Sequence, residues 1–155
     1  MLSNMAPATA DTRVLGYLGR ALSLELSAVQ LYSTQTKLVE VWGLKDWADR
    51  FSNESREEME HAERIIGRML ALGVAPNASQ LRPVKLGQDL QQLLRNNHEF
   101  ENEAISLYSD ASAHCLRVGD TENRMFFEAL LTEERAHADE WSNWLREISQ
   151  PDMIK

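Results

Sequence analysis

Hydrophobic residues recur at helical spacing in four long stretches of this chain, with turn-favouring positions between them. The first stretch covers residues 11 to about 40, and Asp11 or Thr12 is suited to cap its beginning. The second covers residues 45 to about 72, where Gly73 favours the end of a helix. The pattern therefore predicts two amphipathic helices joined by a short connection.

A second pair of predicted helices follows a much longer connection. Residues 74–86 contain two prolines and several polar residues, and this length is enough to run the full height of a helical bundle. The third helix is predicted from about residue 87 to residue 118, with a break at Gly119, and Asp120 or Thr121 is suited to cap the fourth. The long connection thus predicts a crossover between the two helical pairs.

The order of short and long connections defines the expected architecture. The fourth helix is predicted to end near residue 148, because Pro151 disfavours its continuation. Two short connections and one long crossover predict an all-α four-helix bundle of the ferritin type. We expect the bundle to span residues 11–149, between a disordered N-terminal tail at 1–10 and a C-terminal tail at 150–155.

Composition and charge narrow the classes of function. With 155 residues the chain is long enough for one domain, and its formal net charge of -8 disfavours nucleic acid as a partner. A membrane-spanning role is not expected, since no run of eighteen apolar residues is present. Cys115 is the only cysteine and residues 1–10 do not read as a secretion signal, so we expect a soluble, cytoplasmic protein.

The second and fourth predicted helices each carry a Glu-x-x-His motif, which places a carboxylate and an imidazole on one helical face. A single motif would be a weak signal, but two at matched positions are more specific. The first and third helices each add a glutamate among core-type neighbours. The candidate ligands are Glu25, Glu58, His61, Glu101, Glu134 and His137. Four carboxylates and two histidines, with every helix contributing, form a di-iron carboxylate pattern.

This mixture of side chains suits a pair of redox-active metal ions. Carboxylates offset the charge of two cations and bridge them, and Glu58 and Glu134 are the predicted bridging residues, with Glu25 and Glu101 as terminal ligands. Oxygen or peroxide could then take electrons from Fe(II). The alternative is a solvated acidic face with two incidental histidines, which is disfavoured because unpaired charges among core residues are costly.

The two halves of the chain echo each other. In each half a glutamate lies 33 residues before the glutamate of the Glu-x-x-His motif, and a tyrosine follows that first glutamate by seven residues. The tyrosines, Tyr32 and Tyr108, either donate hydrogen bonds to ligand carboxylates or fill the core. His98 and His114 lie outside the ligand register and are expected at the surface or an interface. The pattern predicts two pseudo-symmetric helical hairpins.

The chain resembles a bacterioferritin over residues of about 14–148. The matching motifs are Trp42-Gly43-Leu44-Lys45, Glu58-Met59-x-His61-Ala62, Leu86-Gly87-x-Asp89 and Glu133-Glu134-x-x-His137. The resemblance implies a ferroxidase centre with two iron ions per subunit at the same six residues that the motif spacing selects. It also implies a ferredoxin as the reductant that releases iron.

Met59 is a candidate haem ligand. It follows Glu58 directly and therefore points about 100° round the helix, towards another face. The resemblance implies that Met59 from each of two subunits ligates a shared haem b across a two-fold axis. The alternative is a methionine that packs in a dimer interface.

Two departures from the resembled family bear on assembly and iron transfer. The chain stops at Lys155, so most or all of a fifth C-terminal helix is expected to be lacking. We expect at least a two-fold homodimer and leave open a shell of about 24 subunits. Asn53 and Glu57 stand where the resemblance implies a histidine and an aspartate of an inner-surface iron site.

The leading functional prediction is an iron storage or detoxification protein with ferroxidase activity, which oxidises Fe(II) to Fe(III) with O2 or H2O2. The alternative is a peroxidase or oxidase of the rubrerythrin-like type, with two iron or manganese ions, which acts as a dimer without a cage. A metal-free helical interaction module is a third class, and the complete ligand set argues against it.

Overall fold

A computed structural model describes residues 11–77 and 79–150, and these residues form four long α-helices with no strand among them. The helices are α1 (Thr12–Val41), α2 (Lys45–Ala71), α3 (Leu90–Val118) and α4 (Thr121–Ser149). No helix within the described ranges is long and apolar enough to cross a membrane. The all-α prediction is confirmed, and the predicted tails lie outside the described residues apart from Gln150.

Aspartate caps and glycines define the helix ends. The N-cap residues of α1, α3 and α4 are Asp11, Asp89 and Asp120. The side chain of each accepts a hydrogen bond from the backbone N–H of the residue three positions later. Gly73 and Gly119 follow α2 and α3 with φ values of 80° and 74°, a left-handed conformation that other residues adopt at a cost. Local sequence therefore sets most of the helix bounds.

The helices form two antiparallel hairpins that lie side by side. Glu58 and His61 of α2 bond to His137 and Glu134 of α4 in reverse order along the chain, so α2 and α4 are antiparallel. The long crossover between α2 and α3 runs along α1, where the hydroxyl of Ser23 accepts a hydrogen bond from the backbone N–H of Gln80 at 3.0 Å. This is the predicted ferritin-like topology with one long crossover.

The apolar core is divided into two clusters, one towards each end of the bundle. One cluster includes Val14, Leu18, Ile65, Cys115, Phe127 and Leu130. The other includes Tyr32, Phe51, Leu93, Leu94 and Trp141. A layer of buried charged side chains lies between them. Each cluster holds the four helices together on its own side of that layer.

Two sequence-based expectations about α3 are wrong. The helix begins at Leu90 rather than near residue 87, because Asp89 has an extended backbone (φ -147°, ψ 169°) and caps it. Gly87 belongs to the approach, where a Cβ atom would lie 2.9 Å from the Cβ of Gln92. His114 was expected at the surface or an interface, but it is buried within its own chain: it is 6% exposed, and its Nε2 lies 3.0 Å from Oδ2 of Asp11.

The cap of α3 gives a stability prediction. Asp89→Ala removes the side chain that accepts from Gln92 N–H and should lower the free energy of unfolding by about 1 kcal/mol. Urea denaturation followed by circular dichroism measures the loss. Gln88→Ala is the control, because its side chain caps nothing, and an equal loss in both variants would contradict the assignment of Asp89 as the cap.

Candidate metal centre

The six candidate ligands meet in the polar layer between the two apolar clusters. All four helices contribute: α1 and α3 give one glutamate each, and α2 and α4 each give a glutamate and a histidine. None is more than 8% exposed, and the residues are Glu25, Glu58, His61, Glu101, Glu134 and His137. The structure therefore brings together every residue that the motif spacing selects.

The two Glu-x-x-His motifs face each other across the bundle. Nδ1 of His61 lies 2.7 Å from Oε1 of Glu134, and Nδ1 of His137 lies 2.6 Å from Oε1 of Glu58. The two imidazole rings are parallel within 9° and their centroids are 5.4 Å apart. Each histidine thus bonds to the glutamate of the opposite motif, which makes the arrangement reciprocal.

The two buried tyrosines connect the hairpins. The Tyr32 hydroxyl of α1 donates to Oε1 of Glu101 on α3 at 2.7 Å, and the Tyr108 hydroxyl of α3 donates to Oε1 of Glu25 on α1 at 2.6 Å. Burial, together with the nearby carboxylates, raises the pKa of both tyrosines, which keeps them protonated as donors. Of the two interpretations of these tyrosines, the structure supports hydrogen bonding to candidate ligands.

Donor atoms of the centre form two overlapping sets. In each set, one nitrogen or oxygen from every member lies within 4.8 Å of the others, and the sets are Glu25, Glu58, His61 and Glu134, and Glu58, Glu101, Glu134 and His137. Glu58 and Glu134 belong to both sets, and these are the two residues that the sequence predicts as bridging ligands. Oε2 of Glu25 and Oε2 of Glu134 are buried without any hydrogen-bond partner. Oxygen atoms left unpaired in this way fit a site that receives cations.

The carboxylates hold protons unequally in the metal-free form. Burial raises the pKa of Glu58 and Glu134 well above the usual value, and the neighbouring carboxylates add to the effect. Burial also opposes ionisation of Glu25, but Glu58, His61 and Tyr108 stabilise its carboxylate and lower its pKa to about 2. Burial likewise disfavours the charged form of His61, yet Glu134 and Glu25 outweigh it and raise its pKa to about 10.

Sequence reasoning missed a further buried acid, Glu54, one turn before Glu58 on α2. It is 3% exposed, and its Oε2 has no hydrogen-bond partner. Burial raises its pKa to about 8, with Glu57 and Glu140 adding to the shift. Its spacing from Glu58 and His61 follows the buried face of a helix, and this was the signal available in the sequence.

Met59 lies outside this centre. Its side chain is 37% exposed on the single chain, whereas the adjacent Glu58 is 1% exposed and points into the bundle. The thioether therefore lies on the outer face of α2, away from the centre.

A family model described as a ferritin-like domain matches residues 15–150. The bacterioferritin of Rhodobacter capsulatus is 38% identical over 129 residues, which cover 83% of this chain and 80% of that protein. The bacterioferritin of Brucella melitensis biotype 1 is 32% identical over the same length, with the same coverage of both chains.

Among solved structures, the 2.6 Å structure of Rhodobacter capsulatus bacterioferritin superposes with a TM-score of 0.87 at 35% identity, and the match covers 91% of this chain and 88% of that chain. That protein has a metal-free dinuclear site and a haem iron in a crystallographic special position. The fold and the buried carboxylate–histidine layer define a ferritin-like protein. Within that class, the chain belongs to the bacterioferritin family.

The raised pKa values predict how stability depends on pH. A carboxyl whose pKa is raised on folding contributes stability that is present below its unfolded value and lost as pH rises through the folded value. For Glu54 this interval runs from 4.5 to about 8. The melting temperature of chelator-treated protein should therefore fall between pH 5 and pH 8, and fall less in Glu54→Gln.

Glu60→Gln is the matched control, because Glu60 is an exposed glutamate of the same helix. Differential scanning calorimetry at both pH values gives the comparison. An identical pH dependence in wild type and Glu54→Gln would show that Glu54 does not hold its proton on folding.

Proposed function

We propose that this protein stores or detoxifies iron and oxidises Fe(II) to Fe(III) with O2 or H2O2 at a centre for two iron ions in each chain. The observation that carries the proposal is the pair of overlapping donor sets that share Glu58 and Glu134. Membership of the bacterioferritin family supports the same function. The proposed ligands are the six residues of the buried layer.

Each group of the centre has a definite task in this proposal. Glu58 and Glu134 would be shared by the two ions, Glu25 and Glu101 would each hold one ion, and the imidazoles would complete the sets. The tyrosines fix the two terminal carboxylates, because each holds one carboxylate oxygen and leaves the other available. When bound, iron supplies the redox chemistry, since each Fe(II) ion gives up one electron to the oxidant.

Proton release accompanies binding in this scheme. Burial raises the pKa of Glu58 and Glu134 and so favours proton binding by these groups in the metal-free centre, and carboxylates must lose bound protons to bind cations. The protons stabilise the empty layer, and the cations take over that role. Affinity for Fe(II) should accordingly increase with pH.

The assembly we propose is a homo-oligomer that contains at least a two-fold dimer, with haem b shared between two Met59 residues. The outward position of Met59 supports this arrangement. A crystallographic special position lies on a symmetry element, and the haem iron of the Rhodobacter capsulatus protein occupies one. The rubrerythrin-like alternative is not favoured, because the Rhodobacter capsulatus and Brucella melitensis relatives are bacterioferritins.

The ligand assignment is tested by Glu101→Ala and Glu134→Ala. Stopped-flow absorbance should show that Fe(II) oxidation is slower by about 10- to 100-fold or more. The loss of a group that only hydrogen-bonds to a metal ligand already lowers metal affinity or activity by this factor, and here the ligand itself is removed. Circular dichroism should show unchanged helix content. Glu60→Ala, on the exposed face of α2, should oxidise Fe(II) at the wild-type rate. Wild-type kinetics in both ligand variants would refute the site.

The haem assignment is tested by Met59→Leu, which keeps the volume of the side chain and removes its sulfur. The variant should lose the haem absorbance band and keep the wild-type rate of Fe(II) oxidation, because Met59 does not belong to the centre. Light scattering should give the wild-type solution mass. A haem band that persists in this variant would show that another residue ligates the haem.

A further inference from the structure

One hydrogen-bonded pair between α1 and α3 has no counterpart in the other half of the chain. Glu25, Tyr32, Glu58 and His61 of the first half correspond in order to Glu101, Tyr108, Glu134 and His137 of the second. At several buried positions the same correspondence matches a polar residue with an apolar one, among them Gln35 with Ala111, Asn97 with Ala21 and Glu54 with Leu130. Of these polar residues, Gln35 and Asn97 bond to each other.

The two amides form a closed ring of hydrogen bonds between α1 and α3. Nε2 of Gln35 donates to Oδ1 of Asn97 at 2.8 Å, and Nδ2 of Asn97 donates to Oε1 of Gln35 at 2.7 Å. Both side chains are completely buried. Each amide therefore fixes the position of the other, and no solvent molecule competes for the two bonds at the surface.

The amide pair lies beside one of the two tyrosine–carboxylate bonds of the centre. Gln35 follows Tyr32 by about one turn of α1, and Asn97 precedes Glu101 by about one turn of α3. The bonded residues run in reverse order along the two antiparallel helices, so the amide pair is the next contact beyond the bond from Tyr32 to Glu101. The hydroxyl bond and the amide ring therefore hold the same short part of α1 against α3.

The other tyrosine–carboxylate bond, from Tyr108 to Glu25, has no such neighbour. Ala21 and Ala111 occupy the corresponding positions, and both are buried in an apolar cluster. Apolar packing has no preferred direction, whereas a hydrogen bond weakens steeply when its angle changes. The bond to Glu101 is thus supported by a directional contact, and the bond to Glu25 by an apolar one.

Stability alone does not explain the amide pair. Removing two amides from water costs free energy that their mutual hydrogen bonds only offset, and two apolar side chains of the same shape would serve the core about as well or better. The other half of the chain uses apolar residues at the corresponding positions. What a fully satisfied buried pair adds is a single, rigid arrangement of the elements that it joins.

We propose that Gln35 and Asn97 are positioning residues, which hold Tyr32 and Glu101 in the geometry that one of the two metal ions requires. The inference rests on the proposed function, since it treats Glu101 as a metal ligand. The amides donate to each other rather than to a candidate ligand, so they act through the tyrosine. By fixing α1 against α3, they keep the Tyr32 hydroxyl on Oε1 of Glu101.

The two metal positions should consequently respond differently when the amide pair is removed. A ligand that is already held in its binding orientation loses less freedom when the ion arrives, which favours binding. Loosening α1 against α3 next to Tyr32 removes this advantage from Glu101. Glu25 has an apolar contact at the corresponding place, so its ion should be unaffected.

Isothermal titration of metal-free protein with Co(II) tests the proposal. The variant combines Gln35→Met with Asn97→Leu, which replaces both amides by apolar side chains of similar shape and should keep the melting temperature at or above that of wild type. Wild type should bind two Co(II) ions per chain. In the variant, the affinity for one ion should fall by about tenfold or more, a factor typical of groups that orient a metal ligand, and the other affinity should stay the same.

A double-mutant cycle determines whether the pair acts through the tyrosine. Tyr32→Phe removes the hydroxyl that bonds to Glu101 and should weaken the same Co(II) ion. Adding the two amide replacements to Tyr32→Phe should then have no additional effect, because the bond that they support is already absent. A further loss as large as in the wild-type background would overturn the proposed route.

His114→Leu is the matched control for a general loosening of α1 against α3. His114 is another buried polar link between the two helices, since its Nε2 lies 3.0 Å from Oδ2 of Asp11, but it lies near the beginning of α1, away from the amide pair. The chain itself uses leucine at the corresponding position 38. This variant should have a lower melting temperature and two unchanged Co(II) affinities, and a selective loss like that of the amide variant would overturn the proposal.

Each other outcome overturns one of the two proposals. Two ions bound with wild-type affinities in the amide variant overturn the positioning role and leave the proposed function intact. Equal weakening of both ions also overturns it, because the effect would then not be specific to Glu101. Failure of wild type to bind Co(II) overturns the proposed function. If circular dichroism shows that the amide variant is misfolded, Gln35→Ala with Asn97→Ala, which copies the corresponding positions of the other half, is measured against the same expectations.

Discussion

Burial of acidic side chains without fixed basic partners is the constraint on which this structure depends. Four carboxylates of the centre lie in the middle of the bundle, together with Glu54 and two imidazoles. Charges in such a place are costly unless they are paired, and the chain pairs them only in part, by protons, by reciprocal histidine contacts and by tyrosine hydroxyls. The remaining oxygen atoms are available to cations, so function and the principal cost of the fold come from the same layer.

The rest of the bundle compensates for this layer. Because the layer divides the core, the helices must be long enough to build an apolar cluster at each of its ends, and α1 to α4 span 27 to 30 residues each. The crossover allows α2 and α4 to lie antiparallel, which brings each histidine to the glutamate of the other motif. Helix length and topology thus serve the geometry of the centre.

Much of this could be read from the sequence, because helical periodicity and capping residues are local signals. The four helices and the six candidate ligands followed from spacing alone, whereas the beginning of α3 depended on the extended backbone of Asp89. Burial of His114 and Glu54 depends on contacts between distant segments. The sequence of α2 contains many acidic residues, so each of its glutamates is interpreted as solvent-exposed. Only the positions of the neighbouring helices show which of them is buried.

The crossed tyrosines have a consequence for the history of the chain. Each hairpin satisfies its first carboxylate with a hydroxyl from the other hairpin, so neither half completes its own half of the centre. A single ancestral hairpin with one Glu, one Tyr and one Glu-x-x-His motif would have built the whole centre by pairing with a second copy of itself. Fusion of the two copies would then free corresponding positions to diverge, and the contrast between Glu54 and Leu130 is such a divergence.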